Sequence, residues 1–124
     1  MADKHLPHHH EEETTIEKIE EQLERIEDFR TIADVFAQLG DPTRIRIFWM
    51  LCHCEECVTD IAAMMDMSSP AVSHHLRTLR SSGLITSRRA GKEVFYHAAD
   101  TPAANLLHET IERVMEITCP DNIL

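Results

Sequence analysis

A chain of 124 residues has room for one small domain with a modest core. It holds no run of about eighteen apolar residues that could span a bilayer, and its N-terminus lacks the apolar stretch of a secretory signal, so the expected compartment is the cytoplasm, where its four cysteines serve as thiols or metal ligands rather than disulfides. A net charge of −10 would exclude a uniformly basic nucleic-acid binder, but the charge is segregated: residues 66–97 carry +3 and the remainder carries −13.

Residues 1–13 are polar, acidic and His-rich, with Pro7, and read as a flexible arm. From Thr14 the pattern changes. Ile16, Ile19, Leu23, Ile26, Phe29, Ile32, Phe36 and Leu39 recur at three- and four-residue steps, which predicts one long helix or two abutting ones. Gly40 ends it, and Asp41 with Pro42 is a strong start signal for the next helix, which carries Ile45, Ile47, Phe48, Trp49 and Leu51. Val58 to Met65 is a short amphipathic helix, followed by the tight turn Asp66-Met67-Ser68-Ser69.

Ser69 to Ser82 places Val72, Leu76 and Leu79 on one helical stripe, while Ser73, His74, Arg77 and, at the edge, Arg80 project from another face. With Ser69 at the helix start, these groups suit base edges and phosphates. Gly83 reads as the residue just past the helix. Leu84 to Arg88 and Glu93 to His97 then form two strands joined at Ala90-Gly91-Lys92, a hairpin tipped with Arg88, Arg89 and Lys92. A recognition helix followed by a basic hairpin is a winged helix-turn-helix.

A final helix starts near Thr101-Pro102 and carries Leu106, Leu107, Ile111, Val114 and Met115. Its wide apolar band, with that of the first helix, is the expected dimer seam, Leu107, Ile111 and Val114 meeting Ile19, Leu23 and Ile26 of two copies. The expected fold is mainly α with a small hairpin, in the order α-α-α-α-β-β-α. Residues 14–118 form the DNA-binding and dimerisation domain, and 119–124 a short tail.

Four blocks, Leu39 to Ile47, Val58 to Ala63, Ala71 to Leu76, and Gly83-Leu84-Ile85 with Arg89 to Lys92, resemble in order the ArsR/SmtB family of bacterial metal-responsive repressors. The resemblance spans roughly Phe29 to Glu116. It implies a homodimeric repressor that leaves its operator duplex when a metal ion or another inducer binds.

The run Cys52-His53-Cys54-Glu55-Glu56-Cys57 places three thiols within six residues, between two helices. Thiolates select zinc, cadmium, lead, copper(I) or trivalent arsenic over magnesium or calcium. Cys54 and Cys57 are the leading ligands, with Cys52 completing. The family's cysteine sensors carry Cys-x-Cys-Asp-Leu at the start of the first reading-head helix. Here Cys57-Val58-Thr59-Asp60-Ile61 keeps the first cysteine, and Thr59 replaces the second. The same resemblance, in which an arm from the other subunit completes the site, gives His8, His9 and His10 a role as ligands; a solvated tail is the competing reading. In the family's other site, on the last helix, Asp100 and Glu116 match, but Pro102 and Arg113 occupy the histidine positions, so that site is expected to be absent. His97, His108 and Glu112 are the residues for a variant of it.

These features predict a repressor released by a thiophilic ion of the zinc, cadmium, lead or arsenite class. The alternative on the same fold is a sensor of oxidants or reactive sulfur through Cys52, Cys54 or Cys57. A metal-trafficking protein or thiol enzyme is the distant alternative. With no Gly-rich phosphate loop, nucleophile elbow or His-Glu-x-x-His, nothing points to catalysis.

Overall fold

The computed structural model describes residues 13–119. The apolar spacing of the first segment is realised as two helices, α1 (Glu13–Leu23) and α2 (Ile26–Gln38). Neither Gly nor Pro marks the break. Instead α1 tightens into i→i−3 hydrogen bonds from Glu24 N–H to Glu21 and from Arg25 N–H to Gln22. The Arg25 guanidinium spans the gap, donating to Gln22 at 2.8 Å and to Asp28 at 2.6 Å. The chain divides within α2 into two compact units, one ending at Asp34 and one starting at Val35. In the first unit Ile19, Leu23, Ile26, Phe29 and Ile32 are all 48–58% exposed.

In the second unit Asp41 caps α3 (Pro42–His53), its carboxylate accepting from Arg44 N–H at 3.0 Å. A two-residue strand, β1 (Glu56–Cys57), leads directly into α4 (Val58–Met65). Asp66, in the left-handed region at φ 53°, turns the chain. Ser68 then caps α5 (Ser69–Ser81), its hydroxyl accepting from Ala71 N–H. The end of α5 is closed by a Schellman pair, Leu84 N–H to Leu79 and Gly83 N–H to Arg80, both at 3.0 Å. That geometry needs Gly83 at φ 77°, where a side chain would be strained. Strands β2 (Ile85–Ala90) and β3 (Glu93–Ala98) follow, and Thr101 caps α6 (Pro102–Thr118).

The sheet has the order β1-β3-β2, antiparallel throughout, with Arg88 opposite Phe95, and Cys57 opposite Phe95 on its other edge. The strand β1 departs from the expected two-stranded wing. Two residues cannot hold a strand by themselves, and it exists only because β3 offers a free edge.

The core joins Ile47, Phe48 and Leu51 of α3, Ile61 of α4, Val72, Leu76 and Leu79 of α5, and Leu84 and Ile85. Each fully buried aliphatic or Phe side chain contributes about 1.5–3 kcal/mol. Leu107 of α6 belongs to this core, not to the expected seam, and Ile111 packs partly against it. The outward apolar residues of α6 are Leu106, Val114 and Ile117, at 63%, 49% and 78% exposure. A broad apolar band does not reveal from sequence which part faces inward, because that depends on where α3 sits.

Candidate DNA interface and metal-binding side chains

Burying Val72, Leu76 and Leu79 fixes the rotation of α5, leaving Ser69, His74, Arg77 and Arg80 exposed and Ser73 half-buried. The adjacent His75 turns inward and accepts from the Arg44 guanidinium at 3.4 Å. Desolvation lowers its pKa, which favours the neutral ring that this hydrogen bond requires. Of the two neighbouring imidazoles, only His74 is therefore offered to a ligand.

In the hairpin Ala90 pairs with Glu93, leaving Gly91 and Lys92 as a two-residue turn, with Gly91 at φ 65°. Alternation sends Arg88 and Arg89 to opposite faces of the sheet. Arg88 lies over the Phe95 ring, 5.1 Å from its centroid, and its Nε donates to Glu55 at 2.9 Å. That contact holds the Glu55 carboxyl below the usual carboxylate range. Arg77, Arg80, Arg89 and Lys92, by contrast, pair with no carboxylate among the described residues. The wing thus presents Arg89 and Lys92 freely, with Arg88 already engaged.

The thiols are spread along the connection from α3 to α4. Cys52 is half-buried on α3, and burial, aided by the Glu112 charge, pushes its pKa up to about 12. Cys54 ends α3 and donates its S–H to the Met50 carbonyl at 3.3 Å; burial raises its pKa as well. Cys57, buried, is at once a residue of β1 and the N-cap of α4. The Asp60 amide pulls its thiol down, but desolvation and the Glu93 carboxylate outweigh this and raise it. The three sulfurs do not converge with each other or with a fourth ligand among the described residues. His8, His9 and His10 lie outside the described residues.

A different trio does converge. Nε2 of His53, at the end of α3, lies 3.2 Å from Nε2 of His108 and 3.2 Å from Oε1 of Glu112, both on α6. His108 and Glu112, one helical turn apart, are themselves in contact at 2.6 Å. Of the residues read as a variant site, His97 is elsewhere: its Nδ1 meets the Ala98 carbonyl and its Nε2 lies 3.9 Å from Glu55. The i, i+4 spacing of His108 and Glu112 is visible in the sequence. His53 as their partner is not, because only the docking of α6 on α3 brings it there.

Two helices joined by a tight turn, the second offering hydroxyl, imidazole and guanidinium groups, and then a basic hairpin, define a winged helix-turn-helix DNA-binding protein. Residues 41–87, from the cap of α3 into β2, match the bacterial regulatory protein, arsR family. The chain is 37% identical over 101 residues to a Synechocystis protein named transcriptional repressor SmtB homolog, covering 82% of this chain and 76% of the relative. It is 34% identical over 87 residues to the cadmium resistance transcriptional regulatory protein CadC homolog of Staphylococcus aureus, covering 69% of this chain and 72% of that one. Among solved structures, reduced HlyU from Vibrio cholerae superposes with a TM-score of 0.64 at 25% identity, over 77% of this chain and 97% of that one. The chain belongs to the arsR family of bacterial regulatory proteins. It is a DNA-binding transcriptional regulator, not an enzyme.

Proposed function

We propose that the chain is a cytoplasmic, homodimeric repressor that holds its operator through α5 and the wing and releases it when a thiophilic metal ion binds. The observation that carries this is the position of Cys57, which belongs to β1 and caps α4, the first helix of the reading head. An ion drawn to Cys57 and Cys54, with Cys52 and His8, His9 and His10 as completing ligands, pulls on that helix directly. The three sulfurs are not gathered at one point among the described residues, so assembling the site moves the connection. That displacement gives the ion a preference between the two states, without which binding could not alter DNA affinity. Two relatives support the reading by name, one a transcriptional repressor and one tied to cadmium resistance. Zinc, cadmium and lead are the ions that thiolates in this setting select.

For the dimer, each unit contributes exposed apolar side chains, Ile19 and Leu23 on α1 and Leu106, Val114 and Ile117 on α6, of the kind a second copy would cover. No helix among the described residues is long and apolar enough to cross a membrane.

The test is the double variant Cys54→Ser, Cys57→Ser, assayed by fluorescence anisotropy on duplex DNA with and without cadmium. It should bind DNA as the parent does and ignore the ion. Release by cadmium from the double variant would move the sensing site elsewhere.

A further inference from the structure

Three ligand-type atoms from two helices meet at one point. The Nε2 atoms of His53 and His108 are 3.2 Å apart, and Oε1 of Glu112 is 3.2 Å from the first. In a tetrahedral zinc site, ligand atoms about 2.0–2.1 Å from the metal stand about 3.3–3.4 Å from one another. Two of the three edges here, at 3.2 Å, are close to that length. The third, His108 to Glu112 at 2.6 Å, is a hydrogen bond that would open slightly as an ion replaced the shared proton.

The surroundings fit an ion site. The His53 ring packs against Trp49, tilted by 48° with centroids 4.5 Å apart, and meets His108 edge-on at 88°, so neighbours fix its orientation. The side chains of His53, His108 and Glu112 are 42%, 31% and 32% exposed, which leaves a path for a hydrated ion. His53 and His108 also line a cleft of about 320 Å³ whose walls include Cys52, Asp100 and Asn105. Water from this side can occupy a fourth coordination position.

We propose that His53, His108 and Glu112 form a second metal site, separate from the thiols, that takes a borderline divalent ion of the zinc type. Two imidazoles and one carboxylate suit zinc, cobalt(II) or nickel(II), whereas soft cadmium and lead favour the thiolates of the connection. The site lies within one chain and ties the end of α3 to α6. It shares no residue with the positions Asp100, Pro102, Arg113 and Glu116 of the last-helix site that the family resemblance points to. On binding, any proton held at the ligating Nε2 of an imidazole passes to solvent, so proton release accompanies uptake.

The full chain carrying Cys52→Ser, Cys54→Ser and Cys57→Ser is titrated with zinc chloride by calorimetry, which keeps the result independent of the thiol reading. One zinc ion per chain should bind. His53→Gln or His108→Gln, added singly, should weaken it by more than about 100-fold, beyond the usual cost of altering an outer-shell partner. Cobalt(II) should give the visible bands of a low-coordinate site in the parent and lose them in either glutamine variant. The glutamine side chains keep a hydrogen-bonding group in place, and metal-free melting curves check that each variant folds. If the triple-serine chain binds no zinc, or both glutamine variants bind it as tightly as their parent, the site does not exist.

Discussion

The free and engaged cations of the wing set up a quantitative test. Arg77, Arg80, Arg89 and Lys92 are free of carboxylate partners among the described residues, whereas Arg88 is held by Glu55. With four such cations per chain and two chains per operator, about eight cationic contacts to the duplex give a slope of log K against log salt near −7. Removing Arg89 and Lys92 together leaves about four contacts and a slope near −3.6. Between about 50 and 200 mM salt the parent should then lose about 10⁴-fold in affinity and the Arg89→Ala, Lys92→Ala variant only about 10²-fold. Anisotropy titrations of a labelled duplex over that salt range read both slopes. Arg88→Ala should leave the slope nearly unchanged, and Glu55→Gln, which frees Arg88, should steepen it. If Arg88→Ala flattened the slope as much as Arg89→Ala, the ion pair with Glu55 would not withhold Arg88 from DNA. An unchanged slope in the double variant would mean that the hairpin tip does not reach the phosphates.

Four further outcomes follow from the same geometry. Arg77→Ala should cost about 1–3 kcal/mol on the preferred duplex and relax base preference, seen by comparing matched and substituted duplexes. Leu76→Ala, which empties a site 2% exposed in the core, should destabilise the fold by about 2–5 kcal/mol in chemical denaturation. The Arg44 amide lowers the Asp41 pKa below its unfolded value, so its contribution is complete above the ordinary carboxylate range and disappears as pH falls through the lowered value. Urea midpoints of the parent and of Asp41→Asn should therefore converge on acidification, and parallel curves would contradict the cap. In the metal-free protein, alkylation read by mass spectrometry should modify exposed Cys119 first and Cys52, whose pKa burial raises to about 12, last.

Local chemistry written in the sequence determined most of the reading head. Asp41-Pro42, Ser68 and Thr101-Pro102 are caps, Gly83 is a helix terminator, and the stripe of Val72, Leu76 and Leu79 orients α5; each acts over a few residues, so each is legible without the fold. The exposed faces of Ser69, His74, Arg77 and Arg80 follow from that stripe alone. Other features were decided only where distant segments meet. The strand at Glu56–Cys57 exists because β3 has a free edge, and Arg88 pairs with Glu55 because β1 and β3 bring that carboxylate beside it. Leu107 became core and Leu106 surface according to where α3 packs. His53 joined His108 across fifty-five residues of sequence, while three thiols within six residues stayed apart. Proximity along a chain limits how far apart two ligands can be, but the directions in which their side chains point are set by the elements that carry them. The turn from helix to strand between Cys52 and Cys57 sends those sulfurs to different surroundings, and the docking of α6 on α3 aims two imidazoles and a carboxylate at one point.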